Sequence, residues 1–119
     1  MHMEKHTITR DGDRPIVFTG ERIGAGSTHS NQGGNEFRYT DVYIYRTKGG
    51  KYVADVQHIT RWQGERSTSK AAALNTPAEV VEWLKDDNDG ALGRASQEAC
   101  EEAAKNDSEF GKAFVEEVE

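Results

Sequence analysis

The feature that most constrains this chain is a pair of β-strand patterns joined by a short glycine turn. Residues 37–47 (FRYTDVYIYRT) and residues 51–60 (KYVADVQHIT) are rich in the β-branched and aromatic side chains that favour strands. Between them, Lys48-Gly49-Gly50 fits a three-residue hairpin loop with a glycine in the left-handed conformation and a G1 bulge. The sequence therefore predicts a β-hairpin at the centre of the fold.

The three-residue loop also predicts the register of this hairpin, in which Val42 faces Val56 and Ile44 faces Ala54. A two-residue Gly49-Gly50 turn would shift the pairing by one residue and mix the two faces. We prefer the longer loop because it gathers the four aliphatic side chains on one apolar face. Since successive side chains alternate, that face also carries Tyr52 and His58, and the opposite face carries Tyr43, Tyr45, Val53 and Asp55.

Shorter patterns extend the sheet on both sides of the hairpin. Residues 6–10 predict an edge strand before a turn at Asp11-Gly12, and residues 16–23 predict a second strand in which Gly20 indicates a bulge or a close backbone approach. Residues 24–36 carry no apolar side chain larger than Ala and predict a polar, mobile loop. Residues 61–69 predict another loop with Trp62 buried, and residues 70–74 predict the last strand.

Helical signals fill the C-terminal part of the chain. Thr76 is expected to cap a helix with Pro77 at its first position and Glu79 completing a capping box. A second helix is predicted over residues 92–105, and Asn106 is expected to cap a last one, with Glu109 three residues on. Strands first and helices last predict an α+β domain covering residues 1–119: an antiparallel sheet of about four to five strands (residues 6–74) followed by two to three C-terminal helices (residues 77–118) packed on one face.

Composition narrows the class of protein. The chain has 119 residues, of which 34% are hydrophobic and 30% charged, and no apolar run approaches the roughly 18 residues of a membrane span. No apolar signal-peptide region is found near the N-terminus, and the single cysteine, Cys100, cannot form an internal disulfide. We expect a cytoplasmic protein without membrane contact, in which Cys100 is an inert packing thiol.

Motifs for catalysis and ligand binding are weak. The segment Gly24-Ala25-Gly26 lacks the later glycine and the helix pattern of a phosphate-binding loop, and the acidic residues 86–89 break the spacing of a calcium loop. The four histidines lack metal-ligand spacing apart from a pair near the N-terminus. We therefore expect no cofactor, no metal and no catalytic residue. The nearest approach to an acid–base cluster is His58 with Asp55 and Arg61, but alternation places Asp55 and His58 on opposite faces.

Charge is divided unevenly along the chain, whose net charge is −6. Residues 1–75 carry eleven Lys or Arg against eight Asp or Glu, whereas residues 76–119 carry four against thirteen. The leading hypothesis is a non-enzymatic interaction or regulatory module that contacts a protein partner or forms a homodimer. The candidate partner-binding residues are Tyr43, Tyr45, Arg46, Lys48, Lys51, Arg61 and Trp62.

Three alternatives stay open at this point. The basic and aromatic hairpin is of the kind that binds single-stranded nucleic acid, although its charge is low for a committed binder. The acidic helices form a surface that can imitate nucleic acid or meet a basic partner. The third alternative is an enzyme of unrecognised type that uses His58, Asp55 and Arg61.

Spaced residues along most of the chain resemble a family of small bacterial proteins. They are Phe18-x-Gly20, then Tyr43-x-Tyr45-x-Thr47-x-Gly49-x-Lys51-Tyr52-x-Ala54, Trp62, Thr76-x-x-Glu79-x-x-x-x-Leu84 and the terminal residues 115–119 (VEEVE). This pattern, over residues 16–119, is similar to that of the EXLDI family, although the terminal E-x-L-D-I is missing here. The resemblance implies the same order of sheet and helices and supplies no functional site.

Overall fold

A computed structural model describes residues 3–28 and 38–114 of the chain. Within them the elements are β1 (Glu4–Ile8), β2 (Ile16–Ser27), β3 (Arg38–Thr47), β4 (Tyr52–Thr60), β5 (Thr68–Leu74), α1 (Pro77–Asp86), α2 (Arg94–Asn106) and α3 (Ser108–Phe114). The strands form one antiparallel sheet in the order β1-β2-β3-β4-β5, and the three helices follow it. The predicted α+β architecture is confirmed.

The central hairpin has the predicted loop and register. Gly50 takes a φ of 87°, its N–H donates to the Thr47 carbonyl at 2.9 Å, and the Thr47 N–H donates to the Lys51 carbonyl at 2.8 Å. Val42 pairs with Val56 and Ile44 with Ala54. The positive φ explains why a glycine closes this loop.

The helices cover one face of the sheet and form the main core with it. Sheet side chains of this core include Val42, Ile44 and Tyr52, and α3 contributes Phe110, all fully buried. From α1 and α2 come Val80, Leu84, Ala95, Ala99, Cys100 and Ala103. The predicted packing of the helices on one face is confirmed, and it uses the aliphatic face of the hairpin.

Strand β2 is longer than expected, because residues 24–27 continue it where a loop was predicted. Gly24 pairs with Ile44 and Gly26 with Val42, after a bulge between Arg22 and Gly24. A Cβ on Gly24 would lie 2.2 Å from the Ala99 carbonyl oxygen, and one on Gly26 would lie 1.9 Å from that of Ala95. The small residues that indicated a loop therefore let α2 contact the strand backbone. Residues 29–36 of the predicted mobile loop lie outside the described residues.

The face of the sheet opposite the helices lies inside the curl of the sheet, and we call it the concave face. The N–H of Asp11, in the turn after β1, donates to the Ser69 carbonyl at 2.9 Å, and the Ser69 N–H donates to Asp11 Oδ2 at 2.9 Å. Because this turn reaches β5, the sheet is curled. The curl encloses a second apolar cluster of Ile8, Tyr45, Val53 and Ala71, flanked by Ile16, Phe18 and Tyr43.

Helix α1 begins as predicted, with Pro77 first and the Glu79 N–H donating to Thr76 Oγ1 at 3.2 Å. The capping assignment for the last helix was wrong: Asn106 is the final residue of α2, and its Nδ2 donates to the Ile23 carbonyl at 2.9 Å. Asp107 caps α3 instead, accepting from the Glu109 N–H at 3.1 Å. Residues 115–118 of the predicted helix lie outside the described residues.

Candidate interaction site

The fold distributes the seven candidate partner-binding residues over four separate places. Tyr43 and Tyr45 lie on the concave face, Arg46 lies on the helix side, Lys48 and Lys51 are exposed at the hairpin tip, and Arg61 and Trp62 follow β4 at the other end of the sheet. The nine residues of β4 separate the two ends by about 27 Å. No single surface therefore contains all seven.

Tyr45 is not available to a partner in this fold. It is 8% exposed, and its ring centroid lies 5.3 Å from that of Phe18 and 4.9 Å from that of His6. Burial raises the pKa of its phenol. Tyr43 is half-buried beside this cluster, with the Arg22 guanidinium 5.5 Å from its ring centroid. The concave face is thus occupied by the protein's own β1 and β2.

Arg46 has a structural role. Its Nη1 donates to Asp107 Oδ1 at 2.7 Å and its Nη2 to Glu109 Oε1 at 2.9 Å, while Asp107 Oδ2 accepts from the Tyr52 hydroxyl at 2.8 Å. The Arg46 guanidinium also lies 5.3 Å from the centroid of the Tyr52 ring. These contacts connect the central hairpin to the α2–α3 junction. Two carboxylates neutralise the charge of Arg46, which was expected to bind a partner.

At the far end of the sheet, two arginine side chains each lie close to an aromatic ring. The Arg38 guanidinium lies 5.9 Å from the centroid of the Trp62 ring, and that of Arg61 lies 5.7 Å from the centroid of the Tyr39 ring. Arg66 follows in the same loop with 85% of its side chain exposed. Trp62, expected to be buried, is 47% exposed because the loop after β4 lies outside both apolar clusters. We refer to Arg38, Tyr39, Arg61, Trp62 and Arg66 as the arginine–aromatic end.

Glu65 fixes the position of one side chain of the arginine–aromatic end, that of Arg38. Both of its carboxylate oxygens accept from Arg38, from Nε at 3.0 Å and from Nη2, and Oε1 also accepts from the Thr60 hydroxyl. These hydrogen bonds lower the Glu65 pKa to about 2. The Trp62 N–H donates to the same Thr60 hydroxyl oxygen at 3.2 Å. A charge-assisted bidentate pair of this kind orders the Arg38 side chain.

An open cleft of about 600 Å³ runs beside these residues, with Thr28, Thr40, His58 and Thr68 along its length. His58 Nδ1 is 2.9 Å from the Thr40 hydroxyl, and His58 Nε2 is 3.3 Å from Asp87 Oδ2. Asp55 lies on the concave face and hydrogen-bonds Gln57, so the expected separation of Asp55 from His58 is confirmed. The proposed acid–base cluster is therefore not assembled.

The predicted partner-binding residues did not include Arg38, Tyr39 or Arg66, which lie at this end of the sheet. The signal was available in the hairpin register, since extending it pairs Tyr39 with Ile59 and Arg38 with Thr60, next to Arg61. Lys48 and Lys51 at the hairpin tip are close in sequence, whereas Arg38 and Arg61 are brought to the same end of the sheet only by the pairing of β3 with β4.

Comparisons with protein families, with curated proteins and with solved structures find no match to this chain. The resemblance to the EXLDI family stays a prediction. Within residues 3–28 and 38–114, no group of three or more His, Cys, Asp or Glu side chains is placed to hold a metal ion. None of the helices in that same part of the chain is long and apolar enough to cross a membrane.

Proposed function

We propose that this chain is a non-enzymatic binding module that docks an acidic protein segment on the arginine–aromatic end. The observation that carries this proposal is the half-exposed Trp62, with the Arg38 guanidinium close to its ring, at the end of the sheet that also holds the Arg61–Tyr39 pair. Trp, Tyr and Arg are the residue types that supply most of the binding energy at protein interfaces. Here two pairs of these residue types, Arg38 with Trp62 and Arg61 with Tyr39, lie at the same end of the sheet, outside both apolar clusters.

Charge favours an acidic partner. The three arginines of this end have two carboxylates near them: Glu65 pairs with Arg38, and Asp11 Oδ1 lies 4.0 Å from Arg66 Nη2. Guanidinium groups bind carboxylates through two parallel hydrogen bonds, and Arg61 and Arg66 present theirs to solvent. The aromatic rings add apolar area next to these cations, so an acidic segment containing apolar side chains fits best.

Side chains that are already ordered in the free protein favour tight binding of the proposed partner. Arg38 is fixed by Glu65 and by Trp62, and the Trp62 backbone is fixed by Thr60. Binding then loses less side-chain entropy than it would with mobile groups, at roughly 0.5–1.5 kcal/mol for each side chain ordered in advance. A second copy of this chain also offers an acidic surface, the exposed face of α2 with Glu98, Glu101 and Glu102. Self-association through that face is one form of the same proposal.

The test uses a panel of acidic and basic peptides with and without aromatic residues, and sedimentation of the protein alone. Acidic peptides with apolar residues are expected to bind, or the chain to self-associate, and Trp62→Ala is expected to weaken the contact by at least about 10-fold. Lys48→Ala is the matched control, because it removes an exposed cation at the opposite end of the sheet. A strict monomer that retains no acidic peptide, or equal losses in the two variants, would contradict the proposal.

Single-stranded nucleic acid is the second candidate, since exposed aromatic rings stack bases and arginines contact phosphates. The exposure of Trp62 favours it as well. Retention of an oligonucleotide that falls steeply with salt and is lost in Trp62→Ala, without retention of any acidic peptide, would establish it in place of the protein partner.

A further inference from the structure

The first hairpin of the chain extends beyond the rest of the sheet. β1 pairs with residues 16–20 of β2, whereas β3 pairs with β2 only from Gly20 onwards, so the two pairings overlap at Gly20 alone. At this junction the Lys48 N–H donates to the Thr19 carbonyl at 2.7 Å. We refer to residues 4–18 as the lid. A two-stranded hairpin is marginally stable by itself, so the lid depends on the surface that it covers.

The lid folds over the concave face and takes no part in the main core. Ile8, Ile16 and Phe18 of the lid pack in the second apolar cluster, and the Phe18 ring centroid lies 5.3 Å from that of Tyr45. Among the described residues, no member of the main core comes from the lid, since the first is Ile23. The lid can therefore move as a separate unit of local opening while the helices stay on the sheet.

Hydrogen bonds hold the turn of the lid to β5. The Asp11 N–H donates to the Ser69 carbonyl and the Ser69 N–H donates to Asp11 Oδ2, each at 2.9 Å. Arg10 Nη1 donates to the Ala71 carbonyl at 3.2 Å. We refer to the two hydrogen bonds between Asp11 and Ser69 as the clasp. Because the clasp is exposed, hydrogen bonds to water can replace it at small cost.

A buried carboxyl on the concave face opposes closure of the lid when it is ionised. Asp55 is 2% exposed, and its partners on the neighbouring strands, Tyr43 and Ala71, belong to or flank the second apolar cluster. Asp55 Oδ2 accepts from Gln57 Nε2 at 3.2 Å, and Oδ1 has no partner in the described part of the chain. Closure removes water from this carboxyl without replacing the lost hydrogen bonds, which disfavours the charged form.

The other titratable and charged groups on the concave face do not neutralise Asp55. They are Asp41, Tyr43 and Tyr45 on β3, Arg22 on β2, and His6 and Arg10 on the lid. The Arg22 guanidinium lies 5.5 Å from the centroid of the Tyr43 ring, and Arg10 donates to a β5 carbonyl. Lys70, the titratable residue of β5, lies on the helix side. Protonation is therefore how the closed state removes the charge of Asp55.

We propose that the lid opens from the concave face and that the protonation state of Asp55 controls this opening. When Asp55 is protonated the lid stays closed, and ionisation of the carboxyl raises the population of a minor open state. Opening uncovers the aromatic side chains of Tyr43 and Tyr45, so access to the concave face increases as pH rises. The proposal is independent of the arginine–aromatic end, which lies outside the second apolar cluster.

The direction of the pH effect follows from the two states of the lid. In the open state Asp55 meets water and titrates near the ordinary pKa of 3.8, whereas burial under the closed lid raises the Asp55 pKa to about 6. The contribution of this group to closure is complete below pH 4 and is lost as pH rises through 6. Between pH 5 and pH 7.5 the open population should rise on the order of 10-fold.

The test is amide hydrogen exchange of the full chain at pH 5 and pH 7.5, with rates corrected for the intrinsic pH dependence of exchange. The amides of Asp11 and Ser69 report opening of the clasp, and those of Val42 and Val56 report unfolding of the main core. We expect the clasp amides to open more often than the core amides at both pH values. Their opening should be on the order of 10-fold more frequent at pH 7.5, and Asp55→Asn should abolish this pH dependence.

Two further variants are the controls. Asp41→Asn changes a carboxyl on the same face that accepts from the Ser27 hydroxyl, and His6→Gln removes the histidine of the lid. Both are expected to keep the difference in clasp opening between pH 5 and pH 7.5. Clasp amides that open as rarely as the amide of Val56 would overturn the separate movement of the lid. A pH dependence that persists in Asp55→Asn, or that is lost in either control, would overturn the role of Asp55.

Discussion

Asp55 is the residue whose environment is least expected for its type. It lies in β4 on the concave face and is 2% exposed, next to the second apolar cluster. Gln57 Nε2 donates to its Oδ2 at 3.2 Å, whereas Oδ1 has no partner within the described residues. Burial disfavours the charged form and raises the Asp55 pKa to about 6. The carboxylate at neutral pH is therefore a source of instability in the folded chain.

We predict that Asp55→Asn stabilises the protein at pH 7.5. The folded pKa of about 6 lies above the ordinary value of 3.8, so the stability contributed by this group is present below pH 4 and is lost as pH rises through 6. The amide keeps the shape and removes the charge, and the free energy of unfolding should rise by about 1–3 kcal/mol. Urea denaturation of both chains between pH 4 and 8 measures the difference.

The gain from Asp55→Asn should shrink as pH falls towards 4, because the parent carboxyl is then protonated in the folded state and increasingly protonated in the unfolded state. Asp13→Asn is the control, because Asp13 is exposed, forms an ion pair with Arg10, and accepts from the Arg14 N–H through an oxygen that Asn can supply as well. Its effect should stay within about 0.5 kcal/mol at every pH. An Asp55→Asn chain that is less stable than the parent at pH 7.5 would contradict the burial argument.

Because side chains alternate along a strand, the sheet face on which some residues lie could be predicted from the sequence. It placed Asp55 and His58 on opposite faces, as the structure shows. It could not show that Arg46 meets Asp107, because that contact joins residues 61 positions apart and depends on where α2 ends. A sequence alone does not distinguish an exposed arginine from one that forms an ion pair with a distant carboxylate.

At the scale of elements, short sequence motifs predicted the start of a helix or a turn correctly where the residue types in them have a single structural use. Thr76 and Pro77 marked the start of α1, and Gly49-Gly50 marked the hairpin. The segment from Gly24 to Ser27 was misassigned because small residues serve two purposes: they favour loops, and they also allow close contact between a strand and a helix. Only the position of α2 distinguishes the two.

We predict that Gly26→Ala destabilises the domain strongly. Its new Cβ would lie 1.9 Å from the Ala95 carbonyl oxygen, and this is helix backbone that cannot rotate away, so α2 must shift from the sheet. The free energy of unfolding should fall by at least about 2 kcal/mol. Gly49→Ala is the matched control, because the nearest atom to its Cβ would be 4.0 Å away. Thermal denaturation of the two variants measures the contrast, and equal melting temperatures would refute the role of Gly26.

For the molecule as a whole, the sequence predicted that helices cover one face of the sheet, and it did not predict what covers the other face. The structure resolves this through the curl of the sheet, which brings the turn at Asp11 to Ser69 and encloses Tyr45. A contact between the first turn and the last strand leaves no local pattern, so it was not predictable. With both faces of the sheet occupied, the exposed aromatic and arginine side chains at the sheet end are where we propose that a partner docks.

The two-layer arrangement also predicts how the molecule opens. Cys100 lies in α2, is fully buried between the helices and the sheet, and its burial raises the thiol pKa to about 12. Reaction with a thiol reagent at pH 8 therefore requires the helix layer to separate from the sheet. We expect native Cys100 to react at least about 1,000-fold more slowly than the same thiol in urea.

Gly26→Ala should accelerate this reaction, because it weakens the contact between α2 and β2, whereas Gly49→Ala should leave it unchanged. Trp62→Ala should also leave it unchanged, because Trp62 lies outside the main core. A native Cys100 that reacts as fast as an unfolded thiol would mean that the helices do not stay on the sheet. A rate that responds to Gly26 and not to Trp62 would show that the core and the arginine–aromatic end are energetically separate, as expected if that end is the proposed binding surface.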